Sequence, residues 1–291
     1  MSGRQASFGA HDTGTLYLVP TPIGNLGDMT SRAVETLRAV TVIAAEDTRN
    51  TQKLLNHFDI ATKQISFHEH NTQARIPELI AKLQAGEDIA QVSDAGMPSI
   101  SDPGHELVNA AIAANIPVVP LPGPNAGLTA LIASGLVPQP FLFYGFLPRK
   151  ASEQKSALIE LASQQATMIF YESPYRVVKT LGAMQAAFGD RQAVAARELT
   201  KLHEEFLRGR LSELQAMLAD TARGEFVVMV AGAPAATPQP STVPLAEQVA
   251  AQVASGLTPT AAIKAVAKAN GVKKQVVYAD YHGLTPAKES Q

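Results

Sequence analysis

The chain has 291 residues, a formal net charge of −2 at pH 7, 46% hydrophobic and 17% charged residues, and no cysteine. That composition excludes a disordered chain and leaves room for two domains with a generous core; the missing cysteine excludes disulfides, thiolate metal sites and a cysteine nucleophile. A reducing compartment fits, with the cytoplasm as default, and residues 1–14 (MSGRQASFGAHDTG) read as a flexible N-terminus without a signal-peptide core. No later stretch reaches membrane-spanning length without a proline or polar break, so no membrane is expected.

Thr15 to Pro20 reads as the first strand, followed by a polar, glycine-containing loop with Asn25 and Asp28 and then a helix from about Ser31. The loop is not G-x-G-x-x-G, so a dinucleotide fingerprint is absent. Val40 to Ala45 is a second strand ending in Glu46-Asp47-Thr48-Arg49. Acid and arginine there suit a polar substrate and equally suit a local cap beside a helix N-terminus. Ile65 to His70 reads as a strand whose His68 and His70 share one face; with no third ligand at readable spacing, hydrogen bonds to a substrate or loop are expected rather than a metal.

The stretch from Asp88 to Leu131 is the densest in binding-loop residues. A buried strand, Ile89 to Val92, runs into Ser-Asp-Ala-Gly-Met-Pro with Asp94 at the tip; Asp102-Pro103-Gly104 then opens a helix carrying Leu107, Val108, Ala111 and Ile112. The next strand, Ile116 to Val119, ends in Pro122-Gly123-Pro124-Asn125. Either loop alone is an ordinary tight turn. Both together, with an acid and an amide at the tips, point to a site at the strand ends of an open α/β sheet. The alternation of strands and helices to Ala133 predicts a mostly parallel sheet with helices on both faces.

From Phe141 to Pro148 four aromatics occur in eight residues, a core strand whose Tyr144 and Phe146 are also candidates to line a pocket. A helix from Ser152, a strand Thr167 to Tyr171, a helix to Phe188 and a strand Ala193 to Arg197 follow. The charged run from Arg197 to Glu205 reads either as a solvated face or, because it ends an apolar strand, as a cleft-lining segment, and Glu225 to Ala231 closes the second sheet. Residues 233–243 form an uncharged, Pro-rich linker. Beyond it, Leu245 to Val253, Thr260 to Ala269 and Lys273 to Tyr281 read as three helices of helix-turn-helix-like spacing, with Lys264, Lys268, Lys273 and Lys274 giving a basic side. Pro244 to Gln291 carries five Lys against three acids, so this tail is +2 while the rest of the chain is −4. A nucleic-acid surface would have to be local, and a packing cap is the competing reading of the tail.

TPIGNLGDMTSRA, AAEDTRNTQKLL, FHEHN, SDAGMPSISDPG, PLPGPNAG, YGFLPRK, YESPYR and ARELTKLHEE, eight motifs in order over nearly the whole chain, resemble the ribosomal RNA small subunit methyltransferase I family of the tetrapyrrole (precorrin/corrin) methylase superfamily. The resemblance implies two α/β lobes (15–122 and 123–232) with S-adenosyl-L-methionine between them, a helix-turn-helix-like domain at 244–291, and a homodimer. It implies 2′-O-methylation of a cytidine, conventionally 1402, in the decoding region of 16S rRNA within the 30S subunit. Carried over by motif, the cofactor positions are Pro20, Asp94, Met97, Pro98, Asn125, Ala126, Tyr171 and Gly232. The substrate side is formed by Asn25, Asp28, Asp47, Arg49, His68, Arg176 and Arg197. The reaction is a direct displacement needing no metal, with Glu172, Glu198 and Lys201 as candidates to take the proton of the attacking hydroxyl. The alternatives are methylation of a tetrapyrrole or corrin ring, against which the Lys-bearing tail speaks, and a metabolite-sensing DNA-binding regulator, against which the overall acidity speaks.

Overall fold

The computed structural model describes residues 5–7, 11–102, 104–234 and 243–284 and divides into two compact units, Met1–Ala233 and Pro234–Gln291. Most of the segment expected to be a linker, residues 235–242, lies outside the described residues, as do residues 1–4 and 8–10 of the N-terminus and the proline expected at the first turn of the helix after Asp102.

The first unit opens with β1 (Leu16–Leu18), a short 3-10 turn (Leu26–Asp28), α1 (Ser31–Ala39), β2 (Val42–Ala45), α2 (Thr48–His57), β3 (Lys63–Ser66) and α3 (Thr72–Gln84). β4 (Ile89–Val92), α4 (Gly104–Ala113) and β5 (Val118–Pro120) follow, giving a five-stranded sheet of order β3-β2-β4-β1-β5 in which every pairing is parallel. Successive strand residues point to opposite faces, and the two resulting cores follow that alternation. Ile43 and Ala45 of β2 pack with Leu37 of α1 and Leu55 of α2, while Val42 and Ala44 pack with Leu79 of α3 and Leu107 of α4. Because all five strands run the same way, their C-terminal ends open on one edge, where the chain must pass into loops.

α5 (Ala126–Ser134) packs not on this sheet but on the second one, against Ile169, Val194 and Val227. That sheet is built from β6 (Phe141–Phe146), α6 (Ala151–Leu161), β7 (Thr167–Glu172), α7 (Val177–Phe188), β8 (Gln192–Arg197), β9 (Glu205–Arg210), α8 (Leu211–Leu218) and β10 (Phe226–Val230). Its order is β6-β7-β10-β8-β9; β6 pairs parallel to β7 and all other pairs are antiparallel. Leu158, Leu181, Met184 and Leu214 of α6, α7 and α8 cover its other face over Met168, Phe170 and Val228.

Two sequence expectations need correction, and one helix goes beyond them. β3 ends at Ser66, so His68 and His70 lie in the turn beyond it and not on one strand face. Asn71 ends the strand: its Oδ1 accepts from His68 N at 3.0 Å and its Nδ2 donates to the Ser66 carbonyl at 3.1 Å. The charged run from Arg197 to Glu205 is chiefly the turn joining β8 to β9, an edge strand that its charges disguise. α8 was not expected either, although its Leu211, Leu214 and Leu218 carry helical spacing.

The second unit is a three-helix cluster of α9 (Leu245–Ala254), α10 (Pro259–Asn270) and α11 (Lys274–Tyr281). Thr258 caps α10 by accepting from Ala261 N, Pro259 occupies the first turn, and Gly271 ends the helix in the left-handed conformation at φ 65°. Val249, Ile263, Val266 and Val277 form its core. Lys264, Lys268, Lys273 and Lys274 are all exposed.

Candidate active site

A cavity of about 570 Å³ lies within the first unit between the strand-end loops of its two sheets. One wall is the loop after β4, from Ser93 to Asp102, joined by Ile23 and by Glu46 at the end of β2. The opposite wall is Asn125 and Ala126 at the start of α5, Phe146, Tyr171 to Pro174, Leu199, and Glu225 to Val227.

Local hydrogen bonds fix the first wall. Thr21 and Gly96 exchange backbone hydrogen bonds at 3.0 Å, and Gly96 supplies the left-handed turn at φ 78°. Asp102 Oδ1 accepts from Ser99 N at 3.0 Å, Gly104 N at 2.9 Å and the amide of buried Gln91 at 3.1 Å, tying the loop to both β4 and α4. Asp94 Oδ1 accepts from Asp47 N at 3.1 Å and Oδ2 from Asn50 Nδ2 at 3.2 Å, while Asp94 N donates to Glu46 Oε2 at 3.1 Å. Burial raises the pKa of Glu46; the Asp94 N–H opposes this, and the charges of Asp94, Asp102 and Asp47 add to it.

On the second wall a bulge in β6 decides which aromatic faces inward. The register passes from Phe143 opposite Ile169 to Gly145 opposite Phe170, so one extra residue is inserted and Phe146 comes opposite Tyr171. Phe143 and Phe146, three residues apart, therefore both pack edge-on to the Tyr171 ring, at centroid distances of 5.1 and 5.5 Å. Tyr144 turns to the core instead and packs on Phe170. The Tyr171 oxygen accepts from Gly127 N in the first turn of α5 at 3.2 Å, leaving its O–H to donate elsewhere. Burial raises its pKa, so it stays protonated.

The site residues read from the sequence separate into groups. Asp94, Met97, Asn125, Ala126, Tyr171 and Glu172 line the cavity. Pro20 and Pro98 are buried beside it without lining it, and Gly123 is held close against the Pro20 ring. Gly232 is a correction: β10 runs antiparallel to β7, so the cavity meets its beginning at Phe226 and Val227, and Gly232 lies at the opposite end against the Gln165 carbonyl.

Asn25 caps the 3-10 turn, whose Asp28 is exposed. Asp47 caps α2 and pairs with Arg49 at 2.6 Å; the Arg49 guanidinium, with its backbone N–H, lowers the Asp47 pKa to about 2. The capping reading of this pair therefore describes its geometry. His68 has a buried Nδ1 with no hydrogen-bond partner among the described residues. Arg176 donates to the carbonyls of Leu147 and Pro148, and Arg197 donates to the Thr221 carbonyl and pairs with Glu205 at 2.7 Å, so both brace loops of the second sheet.

Glu198 and Lys201 do not line the cavity. Glu198 Oε1 accepts from Glu225 N and Lys201 Nζ, both at 3.0 Å, and these bonds lower its pKa. Burial pulls the Lys201 ammonium down, but its bonds to Glu198 and Glu225 outweigh burial and raise its pKa. Glu46, Phe226 and Val227 were missed as site residues. Glu46 was legible in principle, because it follows β2 as Asp94 follows β4 within one turn of the same parallel edge.

The cavity volume falls in the range for small-molecule sites, and its lining combines a carboxylate wall with aromatic and aliphatic groups. A ligand carrying a positive centre and a flat heteroaromatic ring would find partners on both walls. Residues 15–215 match the family described as Tetrapyrrole (Corrin/Porphyrin) Methylases. The "Ribosomal RNA small subunit methyltransferase I" of Streptococcus pyogenes serotype M1 is 57% identical over 284 residues, covering 96% of this chain and 99% of the relative. The protein of the same name from Bacillus subtilis (strain 168) is 49% identical over 289 residues, covering 97% and 99%. A crystal structure of uroporphyrin-III C-methyltransferase from Thermus thermophilus complexed with S-adenyl homocysteine superposes with TM-score 0.53 at 17% identity, covering 74% of this chain and 97% of that one. With its two sheets, the cavity at their facing strand ends and this full-length similarity, the chain belongs to the tetrapyrrole (corrin/porphyrin) methylase family.

Proposed function

We propose that this methyltransferase carries the methyl group of S-adenosyl-L-methionine to the ribose 2′-hydroxyl of a cytidine, conventionally 1402, in the decoding region of 16S rRNA. The observation that carries this reading is near-full-length identity of 49–57% to relatives named for the small-subunit rRNA. The likeness to tetrapyrrole enzymes, at 17% identity, extends to the fold alone.

The cavity fits the cofactor. Asp94 offers negative charge to the ammonium and sulfonium, Tyr171 offers an O–H, and Phe146, Leu199 and Val227 give a slot for the adenine. The cofactor supplies a methyl group activated on cationic sulfur. The chain's own part is to align the ribose oxygen behind that methyl, exclude water and accept a proton. Asn25, Asp28, Arg49 and His68, in the turn after β1, the start of α2 and the turn after β3, form the substrate side of this reading, with the lysines of the second unit contributing phosphate contacts.

The reading includes a cytoplasmic homodimer acting on the assembled 30S subunit. For the dimer, β6 is an edge strand whose Phe141 is exposed, as are Val137 in the segment before it and Ile132 on α5, the last 84% open, apolar groups that a second copy would cover. Methyl transfer from labelled cofactor to 30S particles from cells lacking the modification, with the nucleotide mapped and the enzyme's mass measured by sedimentation, tests both points. Label on a base, on a different nucleotide or on no RNA would refute the substrate assignment, and a monomer at working concentration would refute the dimer.

A further inference from the structure

A neutral alcohol attacking carbon needs somewhere to leave its proton, and the three candidates suggested by sequence are all engaged. Glu172 is 3% exposed, with Oε1 accepting from Ser173 N at 2.9 Å and Oε2 from the Thr180 hydroxyl at 2.8 Å, and Arg176 lies 3.5 Å from Oε2. Glu198 and Lys201 are bonded to each other outside the cavity, Glu198 made more acidic and Lys201 kept cationic by their partners.

Glu46 is placed differently. It leaves β2 at the same edge at which Asp94 leaves β4, and it lines the cavity. Oε2 is anchored by Asp94 N at 3.1 Å, whereas no bond to another described residue engages Oε1. The anchor sets the carboxyl's orientation while one oxygen stays open to a ligand.

We propose that Glu46 is the proton acceptor of the reaction, taking the hydroxyl proton of the attacking ribose on Oε1. This rests on the ribose-methylation reading above. In the step, the ribose oxygen forms its bond to the methyl carbon while its proton passes to Glu46; the carbon–sulfur bond breaks and its electron pair remains on sulfur, converting the sulfonium to a neutral thioether. Glu46 then returns the proton to water. A buried carboxylate is a stronger base than an exposed one, and burial first, then the nearby Asp94, Asp102 and Asp47, move Glu46 in that direction against the pull of the Asp94 N–H. Arg49, the nearby cation, spends its guanidinium on Asp47, and the far wall presents Glu172 and Glu225.

The test uses the full-length protein, Glu46→Gln and Glu46→Asp, with unmodified 30S particles. Single-turnover rates are read as a function of pH, affinities for cofactor and particle by calorimetry and filter binding, and the carboxyl group by difference infrared titration against Glu46→Gln. The expected result is a loss on the order of 10²–10⁴-fold in single-turnover rate for Glu46→Gln. Both affinities should stay within about threefold of wild type, the acid limb of the rate profile should vanish, and a carboxyl band titrating above the ordinary glutamate range should be missing. Glu46→Asp should keep an acid limb at a reduced rate. If wild type labels the ribose and Glu46→Gln does so within about tenfold with its acid limb intact, the assignment falls while the ribose reading stands. Loss of cofactor affinity in Glu46→Gln would make the residue a binding group and equally overturn the proposal. Failure of wild type to label any ribose would bring down both.

Discussion

Asn125 does two jobs with one carboxamide. Its Oδ1 caps α5 by accepting from Leu128 N at 2.9 Å, and its Nδ2 reaches the Met97 sulfur at 3.7 Å, linking the loops that face each other across the cavity. Asn125→Ala should therefore cost about 1 kcal/mol of stability through the lost cap and also weaken cofactor binding, whereas Asn125→Asp keeps the cap. Asp94→Ala should weaken the cofactor by about tenfold, the worth of roughly one charged hydrogen bond, with the fold retained. Calorimetry showing wild-type affinity in both alanine variants would remove these residues from the cofactor wall. Asp47 belongs to the same scale. Its folded pKa lies near 2, below the ordinary 3.8, so its contribution is complete above about pH 4 and is lost as pH falls through about 2. Asp47→Asn retains the cap oxygen and removes the charge. The stability advantage of wild type over this variant, followed by urea midpoints, should shrink across that window, and more salt should shrink it further because Arg49 is 86% exposed.

At the scale of elements, the cavity depends on irregularities. The β6 bulge at Gly145, with φ 77°, lets Phe143 and Phe146 share the Tyr171 face. A β-branched residue there would resist the left-handed conformation, so Gly145→Val should destabilise the protein by about 1–3 kcal/mol. It should also lower cofactor affinity by displacing Phe146; equal melting temperatures and equal affinity would show that the bulge tolerates a side chain. The strands were legible because their apolar runs are bounded by Gly, Pro and Asp, as in Ile89 to Val92, which matches β4 at both ends. β9 was not legible: an edge strand with one open side needs no apolar run, and Glu205, Arg208 and Arg210 gave it the texture of a loop.

At the scale of the molecule, the first unit holds the whole cavity and the second, with its own small core, carries exposed Lys264, Lys268, Lys273 and Lys274. Ending the chain at Ala236 should leave cofactor affinity within error of the full-length protein. Methylation of 30S particles should fall, and the salt dependence of particle binding should become shallower as phosphate contacts are lost. Normal methylation by the shortened chain across a range of salt would make the second unit a packing element only.

The sequence by itself determined the alternation of strands and helices, the two punctuated loops carrying Asp94 and Asn125, and the family, because these reside in local turn chemistry and in motifs contiguous along the chain. It did not decide which charges face the cavity. Arg176, Arg197, Glu198 and Lys201 follow strand ends as a site residue would, yet each is held by a carbonyl or an opposite charge that the chain brings close only on folding. Gly232 ends a strand too, but the antiparallel course of β10 puts that end on the far side. The tertiary structure alone left Glu46 with one oxygen unbonded among the described residues, because strand direction sets which ends converge, and the hydrogen bonds made on closure set which of the converging groups are engaged.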